Sequence, residues 1–148
     1  MTGRLSDTYV AAIQHDLADV PADASLVGVV RKPTQWFYAA VDENHPELGP
    51  PESLLAATKD AAEDLQLRGI CEEEAHNAAW DEVGFEGRYR TYLAESAEAS
   101  VAMDSLCDRL QEGESLALVC YENTAKKRCH RTILSEVLGT RRCGRHTG

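Results

Sequence analysis

Five residues, Leu116-Ala-Leu-Val-Cys120, constrain this chain more than any others. The run is wholly apolar, follows Gly113, and leads into a polar, basic stretch. It therefore reads as a strand buried on both faces, the kind found inside a parallel sheet. Cys129-His130-Arg131 then opens a segment with helical periodicity that reaches Gly139. A strand stopping at a thiol and a helix starting on Cys, His and Arg bring reactive side chains to the carboxyl edge of a sheet. In open α/β folds that edge is where ligands bind.

The rest of the chain supports the same class. Ser25 to Val30 is a second short, apolar, β-branched run, ended by Arg31-Lys32-Pro33. A first helix is expected over Asp7 to Ala18, with Tyr9, Val10, Ile13 and Leu17 on one face. Thr34 to Pro51 reads as a long loop carrying Trp36, Phe37, Tyr38 and His45. A helix follows from Pro51 to Leu67, closed by Gly69, and Ile70-Cys71 reads as a short strand. Phe85, Tyr89, Tyr92 and Leu93 suggest a helix entered after Gly84 or Gly87. Ser96 caps another, with the stripe Ala99, Met103, Leu106 and Leu110 and a stop at Gly113. Strands alternating with helices predict a single three-layer α/β domain over residues 1–139, with a small, largely parallel sheet flanked by helices. Residues 140–148 read as a flexible basic tail.

With 148 residues, 43% of them hydrophobic, the chain can bury one core. It contains no apolar window of about 18 residues and no signal-like start, so a cytoplasmic location without membrane association is expected. Five cysteines and no C-x-x-C argue against a disulfide framework, a thioredoxin motif or a zinc ribbon. The net charge is −10, with 25 acids, 15 basic residues and only four lysines. That acidic, lysine-poor surface is the composition of a halophile's cytosolic protein. Seven of the 15 cations nevertheless lie between Lys126 and Arg145, and Asn123 to Arg131 contains no acid.

The candidate site combines Cys120, Cys129 and His130 as catalytic groups with Arg31, Arg128 and Arg131 as anion-binding groups. Cys129 at a helix start, beside cations, is placed to favour its thiolate. Cys120 is either a partner thiol or a small buried hydrophobe. Arg31 follows the first apolar strand and belongs at the same edge. Glu122 is either a base or a partner of Lys126. A metal site from Cys120, Cys129 and His130 would need a fourth ligand such as Cys71 or His76, and no metal or cofactor is expected. The C-x5-R spacing of cysteine phosphatases is absent, since Lys126 stands six residues after Cys120. Trp80, Phe85, Tyr89, Cys71 and Cys107 read as packing residues, and Cys143 as a tail thiol.

Several of these landmarks coincide in one family. Leu116 to Glu122 (LALVCYE) and Cys129 to Leu138 (CHRTILSEVL), with Arg31-Lys32-Pro33, Trp80, Phe85 and Tyr89, resemble the domain-of-unknown-function 488 family, in a haloarchaeal-type version. The resemblance spans Leu26 to Leu138. It implies a site formed by the two cysteines and no particular reaction. Relatives often carry Asp where this chain has Val29, so this chain has no acid at that position.

Two functions compete. One is a cysteine-dependent enzyme acting on a small anionic or nucleotide-like substrate. The other is a non-catalytic module that binds phosphate or another anion, or associates with nucleic acid. The net negative charge weighs against broad contact with a phosphate backbone. The charge also generates a test. Carboxylate repulsion should be screened above about 1 M salt, where the Debye length is roughly 3 Å. The melting temperature should therefore rise between dilute buffer and multimolar potassium chloride, and an unchanged value would refute the halophilic reading.

Overall fold

A computed structural model describes residues 3–18, 20–121 and 128–146. Four strands form one fully parallel sheet: β1 (Leu5–Tyr9), β2 (Ser25–Gly28), β3 (Glu43–Asn44) and β4 (Leu116–Cys120). Their spatial order is β1-β4-β2-β3. The apolar run is thus a central strand, with Tyr9 opposite Cys120 on one side and Gly28 opposite Val119 on the other. All five β4 residues are buried. Each large apolar side chain of that strand contributes about 1.5–3 kcal/mol by leaving water.

Seven α-helices lie among the described residues: α1 (Val10–Gln14), α2 (Gln35–Ala40), α3 (Glu52–Leu67), α4 (Glu72–Glu82), α5 (Phe85–Glu95), α6 (Ala97–Gln111) and α7 (His130–His146). Val27, Leu116 and Leu118 face the main core, together with Tyr89 of α5, Leu106 of α6 and Leu134 of α7. Val119 and Val30 face a smaller core with Val10 of α1 and Phe37 of α2. The neighbours β2 and β4 therefore send their following helices to opposite faces. A crevice opens between their carboxyl ends, as at the switch point of any such sheet.

The single α/β domain architecture is the expected one, as are α3 with its stop at Gly69 and α6 with its stop at Gly113; both glycines have positive φ, 94° and 101°. Ser96 caps α6 by accepting from the Ala99 N–H at 3.2 Å. The helix after Trp80 is entered at Gly84, not Gly87.

Four local expectations are corrected. The expected first helix is shorter and is preceded by a strand: Leu5–Tyr9 pairs with β4, so Asp7, Thr8 and Tyr9 are extended and only Val10–Gln14 is helical. Ser6, Asp7 and Thr8 hide this edge strand from any hydrophobic pattern, and Leu17, placed on the buried face, is 72% exposed. Asp16, in the left-handed region at φ 57°, ends the short helix. The long loop holds α2, β3 and a 3-10 turn at Pro46–Leu48, with Thr34 capping α2 through the Phe37 N–H. Ile70-Cys71 is no strand, because Cys71 sits immediately before α4 and is exposed. Finally, α7 does not stop at Gly139 but runs on to His146. Arg141 fastens this extension to α6, its Nε donating to Asp104 at 2.8 Å and its Nη2 to Ser100 at 2.8 Å. The side chain of Cys143 and the residues Glu122, Lys126 and Lys127 lie outside the described residues.

Two polar clusters fix the strand ends. Arg109 of α6 binds Glu43 of β3 at 2.8 Å and Glu114, before β4, at 2.5 Å. The Arg109 hydrogen bond, followed by one from Ser25, holds the Glu114 carboxyl down to about 2. This contribution is present above the ordinary carboxylate range and is lost as the pH falls towards 2. At the other end the Asn44 side chain bonds both the N–H and the C=O of Val30, at 3.1 and 3.0 Å, continuing the β2–β3 ladder. Asn44 can approach so closely because Gly28 lacks a side chain. A Cβ there would lie 2.5 Å from Asn44 Oδ1 and 2.6 Å from Phe37 Cε1. Gly28→Ala should therefore destabilise the fold by about 1–3 kcal/mol, read as a lower urea midpoint with an unchanged slope.

Candidate active site

The crevice is a cavity of about 610 Å³ at the carboxyl ends of β2 and β4. Cys120, Cys129 and His130 line it, as do Arg31 and Arg128. The expected catalytic trio is thus brought together, along with two of the three expected anion-binding residues. Cys129 directly precedes α7, and its carbonyl accepts from the Thr132 N–H at 3.3 Å. Both thiols are buried, and the Cys120 thiol is pushed well above its ordinary range by burial first and then by the neighbouring Cys129.

His130 is held from both sides of its ring. Nε2 lies 2.6 Å from the backbone carbonyl of Val29, and Nδ1 lies 3.6 Å from Cys129 Sγ. A carbonyl can only accept, so Nε2 carries a proton and Nδ1 is left to face the sulfur. The rings of His130 and Tyr89 meet edge to face, with centroids 5.6 Å apart at 84°. Tyr89 donates its hydroxyl to the Leu48 carbonyl, and burial, followed by the nearby Cys129, pushes that hydroxyl well above its ordinary range. Val29 itself is fully buried, so its side chain offers the site nothing while its main chain orients the imidazole.

Arg131 departs from its expected place. It is 2% exposed and does not line the cavity. Its Nε donates to Asp7 of β1 at 2.9 Å and its Nη1 to Cys120 Sγ at 2.9 Å. Burial opposes its charge, but Cys120 and Asp7 outweigh this, so the guanidinium stays protonated. Asp7 carried no signal of its own in the sequence. It is one acid in a polar edge strand, and its partner is 124 residues away.

Arg31 donates from Nε to the Pro50 carbonyl at 3.1 Å, and from Nη2 to the Gly49 carbonyl at 3.0 Å and the Tyr92 hydroxyl at 2.8 Å. These partners are neutral, so they position the cation without cancelling it. Arg128 pairs with Asp81, while its backbone is held by Asn77 and His76 of α4. Lys59 of α3 also lines the cavity and was not singled out in the sequence, where it looks like any surface lysine. The acids Glu63 and Glu72 share the lining. Trp80 and Phe85 stack at 3.7 Å and close the apolar side, whereas Phe37 is fully buried beneath Tyr121. Trp36 and Tyr38 are about half exposed, and Trp36 stacks on Tyr121. Cys107 is a core residue, His45 bridges Glu43 and Glu47, and His15 is exposed. Among the described residues no three His, Cys, Asp or Glu side chains converge as metal ligands. None of the described helices is long and apolar enough to cross a membrane.

Arg131→Ala should cost about 2–3 kcal/mol of stability, because it removes charge-assisted bonds and leaves a hole below Cys120. Chemical denaturation should show this loss. A merely surface arginine would change the midpoint little.

No curated protein and no solved structure matches the chain. Residues 10–142 match the family model described as the active DUF488-N3 subclade. That match covers most of the chain, its thiol-bearing strand and the Cys-His-Arg helix start included, and the chain belongs to the DUF488 family.

Proposed function

We propose that this protein is a cysteine-dependent enzyme acting on a small anionic or nucleotide-like substrate. Cys129 is the nucleophile and His130 its proton acceptor. The observation that carries this reading is the fixed imidazole, with Nε2 committed to the Val29 carbonyl and Nδ1 turned to Cys129 Sγ. Moving the thiol proton to Nδ1 leaves a thiolate beside an imidazolium, the pairing that activates a cysteine. The cavity can take a small molecule, and Arg31, Lys59 and Arg128 line it with positive charge in a protein of net charge −10. Such a cleft attracts anions that the remaining surface repels. The match to a subclade described as active agrees with this reading. A non-catalytic anion-binding module would need the cations but would have no use for the tautomer-fixed histidine. The acidic composition further supports a cytoplasmic setting in a salt-rich cell.

Paired alkylating agents test both halves. Iodoacetamide should modify Cys129 readily near neutral pH, and His130→Ala should slow it. The anionic iodoacetate should be favoured over iodoacetamide at Cys129 by several-fold relative to glutathione at low ionic strength. Lys59→Ala should reduce that preference. Alkylation no faster than that of a free thiol would refute the nucleophile. A reagent ratio equal to that of glutathione would refute the anionic substrate.

A further inference from the structure

The turn leading into α3 offers four successive carbonyls to side chains beside the cavity. Glu47 accepts from the Tyr92 hydroxyl at 2.6 Å and Leu48 from the Tyr89 hydroxyl. Gly49 accepts from Arg31 Nη2 at 3.0 Å and Pro50 from Arg31 Nε at 3.1 Å. The approach is close, and a Cβ on Gly49 would collide with the Arg31 backbone. A carbonyl only accepts, so the Tyr92 proton is committed to Glu47, and the phenolic oxygen accepts from Arg31 Nη2 at 2.8 Å. Arg31 thus gives three of its five N–H groups to neutral oxygens, and the remaining two, on Nη1, meet no acceptor among the described residues.

We propose that Arg31 Nη1 is the seat of the substrate's oxyanion, a carboxylate or phosphate oxygen, and that the Tyr92 hydroxyl is the positioning group that fixes this seat. The proposal rests on the cavity taking an anion. It goes further by assigning the contact to one cation and its alignment to a side chain outside the cavity lining. The other cations of the lining are held differently. Lys32 pairs with Glu52 and Arg128 with Asp81, while Lys59 is exposed. Arg31 is both fixed and left uncancelled, which is what a preformed anion site requires. It also stands two residues beyond Val29, whose carbonyl holds His130 Nε2. One strand end therefore sets the imidazole and the cation together. The Tyr92 ring lies against the guanidinium, 5.5 Å from Cζ to centroid, so removal of the hydroxyl alone leaves that contact in place.

The test is alkylation of Cys129 in the full-length protein by iodoacetate and iodoacetamide, read by peptide mass spectrometry and scaled to glutathione. Potassium chloride at about 1 M screens remote charge, the Debye length being roughly 3 Å, while a direct contact persists. The wild type should still favour iodoacetate there by about fivefold, within what one charge-assisted hydrogen bond can supply. Tyr92→Phe removes the hydroxyl, and Arg31→Lys keeps a charge that cannot span the same partners. Each should lower the preference to below about twofold. Circular dichroism checks both folds, and Arg31→Lys carries the test if Tyr92→Phe does not fold. The ratio of reagents divides out thiol reactivity, so loosened packing alone would not move it. Acetate and phosphate at equal ionic strength should compete with iodoacetate, and the stronger competitor names the group that Arg31 receives; competition by neither overturns the seat. A preference present in dilute buffer but lost at high salt also overturns the seat, while the cavity's general attraction for anions stands. A preference kept at high salt and unchanged in Tyr92→Phe, or in Arg31→Lys, overturns the positioning. No preference at either salt overturns this proposal and the anionic substrate together.

Discussion

A buried positive charge underlies the arrangement of this molecule. Arg131 lies where three elements meet, bound to Asp7 on β1 and Cys120 on β4 while belonging to α7. A charge removed from water is tolerated only when paired and hydrogen-bonded. Those partners exist only if β1 is registered against β4 and α7 begins immediately after Cys129. A one-residue slip of β1 would turn Asp7 to the other face of the sheet. The need to satisfy Arg131 therefore selects the register of the edge strand and the starting point of the last helix.

The same constraint explains why the two cysteines differ. Cys120 ends a strand buried on both faces, where its sulfur meets a cation from below. Cys129 stands at a helix start, where the imidazole of the next residue reaches back to it. Both thiols are buried at the cavity wall, but one closes a strand against a cation and the other opens a helix against an imidazole. Their environments rather than their chemistry set them apart, the usual way in which like groups acquire unlike roles.

Much of this was legible in the residues. The central strand Leu116–Cys120, the buried stripe of α6 and the Cys-His-Arg helix start are continuous local patterns, and each forms where it was read. What escaped was non-local. Leu5–Tyr9 is a strand only because β4 lies beside it, and its polar residues obey the geometry of an edge and not a hydrophobic period. Asp7, Asn44 and Lys59 acquire meaning from partners far along the chain or from a shared cavity. Arg131 stands on the expected helix but turns to Asp7 and Cys120 instead of to a ligand, because a sequence does not say which way a side chain points from the first turn. The continuation of α7 past Gly139 depends on Arg141 meeting Asp104 and Ser100 on another helix.

The two borders of the sheet bear on how copies of this chain treat one another. An open row of main-chain donors and acceptors invites a second sheet to join it, especially when the strand is long and apolar. Here the border strand on one side is only Glu43-Asn44, with a carboxylate already held by Arg109. The other border is Leu5–Tyr9, interrupted by Ser6, Asp7 and Thr8. The stickiest sequence in the molecule, Leu116–Cys120, is kept in the middle with a neighbour on each side. Loss of the Asp7–Arg131 contact would loosen the strand that shields one flank of that apolar run. Variants at either residue should consequently reveal themselves as much by clumping during folding as by any change in reactivity.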